Sequence, residues 1–239
     1  MSEEGRGQLA LLDLINAHPG KRILDALHAY RATTDVLAGN ARQLRKLIQS
    51  LEDPADPLEI GPMGERAKLQ RLFGEVFRLF HNFLSSVKTL IDHTRNLVSE
   101  DFVTEAHRSE YEASVQQEFA SDPLARFMQD FRNYVLHHAV PKIELTHRFL
   151  PEPRQIELNI DATAMLASPR WTVAARSYLE EHQPKLRILY LLDGYETKAR
   201  IFHEHFAERF RQYYGADLEA VVALIDEWNS YSPAATRPK

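Results

Sequence analysis

Apolar positions along this chain recur mostly at intervals of three and four residues, the period of a helix with one buried face. The widest stripe runs through Leu69, Leu72, Phe73, Val76, Phe80, Phe83, Val87, Leu90, Ile91 and Val98. Phe77, Leu79 and Leu84 broaden it, so the spacing predicts a central bundle helix over 65–100. Ile23, Leu24, Leu27, Tyr30, Leu37, Leu44, Leu47, Ile48 and Leu51 predict another long helix over 21–52, weakened or kinked at Gly39-Asn40. A third runs over 185–214, from Leu186 to Tyr213, with Gly215 as its C-cap and a last helix over 216–229. Shorter helices are expected at 8–17, before the breaker cluster His18-Pro19-Gly20, and at 104–119, 161–167 and 170–182.

Over 142–160 the period shortens to two. Ile143 and Leu145, then Ile156, Leu158 and Ile160, alternate with polar neighbours around Pro151-Glu-Pro153, which predicts a hairpin of strands 142–149 and 155–160. Residues 53–64, rich in Pro and Gly, read as a linker. The expected architecture is all-α in the main. It is one helical domain over 1–239, a bundle with a small inserted β-hairpin near 142–160 and a flexible tail over 230–239.

Composition narrows the functional classes. The chain has 239 residues, 44% hydrophobic and 26% charged, which is ordinary for a soluble globular protein. Its polar, acidic start does not read as a signal peptide, and no apolar run approaches the ~20 residues of a membrane span. The absence of cysteine removes disulfides, thiolate metal sites and thiol nucleophiles, and a cytoplasmic location is expected. A net charge of -5 argues against a broad nucleic-acid-coating surface, though not against a local site acting on RNA.

The stretch Asp122–Pro141 carries the candidate chemistry. Asp122 or Ser121 with Pro123 signals a helix start, and Pro141 a stop. At about 100° per residue from Phe131, the residues Leu124, Phe127, Met128, Val135 and His138 fall on the core side. Asn133 and His137 fall one turn apart on the far side, with Arg126, Gln129, Leu136 and Val140. Arg132 sits at the flank. His138, at its core-facing angle, is expected to be a buried structural histidine. Leu136 and Val140 are apolar on an outward face and need cover.

Arg132-Asn133-Tyr134-Val-Leu-His137 resembles the Arg-(polar)-xxx-His motif of HEPN-domain proteins, a helical family that often acts as metal-independent ribonucleases. The resemblance implies a homodimer that brings the motif helices of two protomers together, with Arg132 and His137 at the catalytic positions and Asn133 as the polar residue following the arginine. It also implies RNA as substrate and, for a toxin or defence effector, a cognate antitoxin or regulator as partner. His93, beside Asp92 and Arg95, and Tyr134 are supporting candidates. Leu136 and Val140 would be dimer-interface residues.

The bare pattern of an arginine, four to six residues and a histidine recurs at Arg22/His28, Arg176/His182 and Arg200/His205, but none of these has Asn or Asp directly after the arginine. The chemistry itself is coherent. A histidine suits proton transfer from a 2′-OH, and a guanidinium suits the charge developing on the phosphate. No cofactor or metal is expected. The rival metal reading needs Glu-x-x-His pairs on two core helices, and only Glu144/His147 fits, in a predicted strand. The non-enzyme alternative is an inactive helical dimer that binds a protein or nucleotide.

Overall fold

The computed structural model describes residues 3–53, 66–148 and 155–231. Most of the linker, Pro151-Glu-Pro153 and the tail beyond Tyr231 lie outside the described residues. Among these residues there are eight α-helices and one three-stranded antiparallel sheet. None of the helices is long and apolar enough to cross a membrane.

Helix α1 spans Glu3–Ala17, α2 Pro19–Glu52 and α3 Arg66–Val98. The start of α2 follows from its residues: His18 is the N-cap, its Nδ1 accepting from the Gly20 amide at 3.0 Å, and Pro19 is the first helical residue. Gly39-Asn40 do not break it, and the buried row Ile23, Leu27, Tyr30, Leu37, Ala41, Leu44, Ile48 runs through the pair. Helix α4 spans Glu105–Val115 and passes into a π-helical turn, Gln116–Ala120. Helix α5 spans Pro123–His137, α6 Ala162–Leu166, α7 Val173–Glu181 and α8 Ile188–Ser230. Helices α2, α3, α5 and α8 share one core cluster, which centres on Phe80, Phe83, Phe127, Phe131 and Phe210.

The hairpin is present as β1 (Ile143–Arg148) and β2 (Gln155–Asp161), with Ile143 opposite Ile160 and Leu145 opposite Leu158. A third strand, β3 (Lys185–Arg187), pairs with β2 where a helix start is expected from the sequence. Its Leu186 is buried opposite Ile160. Glu52 at the end of α2 secures the sheet, accepting from the Leu158 amide at 2.9 Å and from Arg187 Nη2 at 2.5 Å. That bond raises the Arg187 pKa further above its usual value.

Gly215 does not end a helix. Helix α8 continues through it for 43 residues, about 65 Å at the usual rise. Tertiary contacts outweigh the local stop signal. Tyr214 is buried against α4, its hydroxyl 3.1 Å from His107 Nδ1, and Val221 is fully buried between Leu11 and Ile15 of α1. Gly20 makes the crossing of α2 and α8 possible, since a Cβ there would lie 2.1 Å from the Asp217 carbonyl oxygen.

Tyr30 of α2 and His203 of α8 join these two helices through a 2.8 Å contact between hydroxyl and Nδ1. Burial pushes the His203 pKa down to about 4 from an ordinary 6.5, and it raises that of Tyr30. His107 is also lowered, first by burial.

The glycines should therefore respond in opposite directions. Gly215→Ala should stabilise by about 0.5–1 kcal/mol, the ordinary helix-interior difference, whereas a C-cap glycine would respond with a loss. Gly20→Ala should lower the melting temperature by forcing α2 from α8. The histidines predict a pH dependence. Above pH 6.5 the ring of His203 is neutral in both the folded and the unfolded chain. Between 6.5 and about 4 only the unfolded chain takes up its proton, so stability falls as pH falls through that window. Melting curves at pH 7.5 and pH 5 should show the loss, and His203→Gln should reduce it.

Candidate functional site

Helix α5 is anchored at its start. Asp122 Oδ1 accepts from the Ala125 amide at 2.7 Å, and Asp122 Oδ2 lies 3.0 Å from Lys198 Nζ of α8. Its core face is aromatic. Phe127 and Phe131 are parallel with centroids 5.3 Å apart, Phe131 lies 5.4 Å from Phe80 of α3, and Phe127 lies 4.8 Å from Tyr178 of α7. Asp130 holds Thr172, the N-cap of α7, accepting from its amide at 2.9 Å and its hydroxyl at 2.6 Å. These contacts leave little freedom to rotate the helix.

The other flank of α5 does not simply face solvent. Arg126, Gln129, Arg132 and Asn133 line a cavity of about 500 Å³ whose remaining walls come from α2, α3, α4 with its π turn, and α8. Phe119, Phe202, Leu84, Val87, Ile91 and Met128 make much of that wall apolar. The charged residues lining it are Lys88, Arg95, Arg126 and Arg132, and no Asp or Glu is among them. Lys88 is paired with Asp92 one turn along α3. Arg95 lies close enough to Tyr111 to draw the phenol pKa down, against the larger upward push of burial. Arg126 and Arg132 have no carboxylate partner among the described residues. Arg132 Nη1 donates to Asn133 Oδ1 at 3.3 Å, and its Nε is buried without a partner. His203 closes the cavity from α8, and burial keeps it neutral near pH 7.

Most of the other expected residues do not line this cavity. His137 is the last residue of α5, exposed, and not among the cavity-lining residues. Asn133, one turn before it, does line the cavity. His138 is corrected: it is exposed, not buried. It is the C-cap, with φ -129° and ψ -59°, so the helical angle that aimed it at the core no longer applies. Its Nε2 lies 3.4 Å from Arg170. Tyr134 is half-buried and stacks on Trp171 at 4.9 Å, a packing contact. His93 is exposed, its Nδ1 lies 2.7 Å from Thr33 Oγ1 of α2, and it is not among the cavity-lining residues. Leu136 is half-buried, and Val140, beyond the helix, is 65% exposed.

Arg95, Arg126, Tyr111 and His203 were not selected from the sequence as site residues. The helical angle already grouped Arg126 and Gln129 with Asn133, but α4 and α8 cover that face by tertiary contact, which carries no local signal. Among the described residues, no group of three or more His, Asp and Glu is arranged to hold a metal ion. Comparison with family models, curated proteins and solved structures finds no match for this chain.

Proposed function

We propose that this chain is a HEPN-like, metal-independent endoribonuclease of the cytoplasm, acting as a homodimer. The observation that carries the reading is the state of Arg132. It is a guanidinium with no carboxylate partner among the described residues, bonded to the adjacent Asn133, on the same helix that ends in an exposed His137. An uncompensated arginine beside a basic concavity suits a phosphate diester, and a solvent-open histidine suits proton transfer from the ribose 2′-OH.

In this scheme His137 takes the 2′-OH proton as the oxygen attacks phosphorus. Arg132 meets the charge on the non-bridging oxygens, the P–O5′ bond breaks, and the departing 5′-oxygen takes its proton from His137 of the partner subunit, leaving a 2′,3′-cyclic phosphate. Arg132 and His137 are five residues apart, about 7.5 Å along the axis, so a second motif helix related by two-fold symmetry would supply the complementary Arg and His. The exposed Val140 and half-buried Leu136 offer apolar surface for that contact. A toxin or defence role would add a cognate antitoxin or regulator as partner. A second reading, an inactive dimeric binding module, is favoured by one observation: Arg132 and Asn133 line the cavity while His137 lies outside it.

Cleavage assays in EDTA separate the two. The parent should cut RNA, and His137→Ala should lose at least ~100-fold while remaining folded. Arg132→Ala should lose a similar factor and Arg132→Lys should rescue it poorly, because an ammonium lacks the planar fork. Asn133→Ala should be milder. His138→Ala, at an exposed cap, should leave the melting temperature near that of the parent. Light scattering should give a dimer, weakened by Val140→Asp. A parent that cuts no RNA offered, or His137→Ala and Arg132→Ala that cut like the parent, would replace the nuclease with the binding module.

A further inference from the structure

We infer that the cavity between α3, α4, α5 and α8 is a binding site for a small amphipathic anion, a molecule with an apolar or aromatic body and one phosphate or carboxylate head. The inference stands on the cavity and does not rest on RNA cleavage.

Size comes first. About 500 Å³ falls in the range of pockets that hold a single small molecule. Walls from five helical elements leave room for a compact ligand, not for a polymer track. Charge comes second. The chain carries 34 acidic and 29 basic residues, yet four bases and no acid line this concavity. A cleft with one sign of charge and low-dielectric walls concentrates the opposite sign. Polar satisfaction comes third. Two other cations between helices are paired with carboxylates: Arg45 lies 2.8 Å from Asp193 and 2.6 Å from Glu196, and Lys198 lies 3.0 Å from Asp122. Arg126 has no such partner among the described residues, and Arg132 keeps a buried Nε unbonded. Arg95, Arg126 and Arg132 all line the cavity, and an anionic head there would give Arg126 the partner that the fold does not. The body of the ligand would lie against Phe119, Phe202 and Met128, displacing water from apolar surface.

The sign of the charge argues against a metal cation, and the apolar walls argue against a bare inorganic anion. Two sources share the remaining chemistry: an acyl carboxylate and a nucleoside monophosphate.

The test uses the full chain and the fluorescent sulfonate 1-anilinonaphthalene-8-sulfonate as probe, with laurate, adenosine monophosphate and inorganic phosphate as competitors. One probe should bind per chain, more weakly as salt rises. Laurate or adenosine monophosphate should displace it, and phosphate alone should not. Displacement by only one of the two identifies the source. Arg126→Gln and Arg95→Gln should each weaken binding by roughly tenfold or more, the loss expected for a charge-assisted hydrogen bond. Arg78→Gln, the same charge change at a paired surface arginine, should not. Ala120→Phe should occlude the cavity without changing its charge, and circular dichroism should show each variant folded. Probe binding that Arg126→Gln and Ala120→Phe both leave intact overturns the assignment, as does failure of both organic competitors to displace the probe. Because His137 takes no part in this measurement, a chain without nuclease activity can still pass it.

Discussion

The stacked rings of Phe127 and Phe131 set the orientation of α5, and every feature of the site follows from that orientation. Both rings are fully buried, against Phe80 on one side and Tyr178 and Trp171 on the other. Truncating either would cost about 3–5 kcal/mol, a large part of the stability of an ordinary domain. The Asp122 cap and the Asp130–Thr172 bonds then hold the start and the middle of the helix in register. With its aromatic face committed to the core, α5 presents Arg126, Arg132 and Asn133 to the cavity.

The distribution of ion pairs sharpens the contrast between frame and site. Arg45, Arg187 and Lys198 each join separate elements through a carboxylate. Such partly exposed pairs contribute little apiece, but they specify which helices meet. In the cavity, Arg126 and Arg132 lack this compensation among the described residues. Leaving cations beside apolar surface costs free energy, a cost that an anionic ligand held there would offset.

The sheet and the far end of α8 show how distant parts of the chain complete one another. Glu52 closes α2 by accepting from both β2 and Arg187, so a single carboxylate ties the long helix to the sheet. At the opposite end, α1 seals the second half of α8 by placing Leu11 and Ile15 on Val221. The close approach of Gly20 to Asp217 is the steric condition for that arrangement.

The sequence by itself determined the helical character, the hairpin and the core face of α5, because each is a local periodicity. Phe80, Phe83, Phe127 and Phe131 sit where three- and four-residue spacing puts them, and Leu158 and Ile160 where an alternation of two puts them. The grouping of Arg126, Gln129 and Asn133 on one flank was legible for the same reason. Only the tertiary structure decided what that flank faces, since the cover comes from α4, its π turn and α8, whose packing leaves no signal within 126–133 itself. It also decided the continuation of α8 through Gly215, where burial of Tyr214 and Val221 outweighs a stop signal worth about 1 kcal/mol. It decided the exposure of His138, since the helix ends one residue earlier and a wheel angle has no meaning beyond the last turn. Strand β3 was hidden because three residues are too few to display a period, and the pairing of Leu186 with Ile160 makes it a strand.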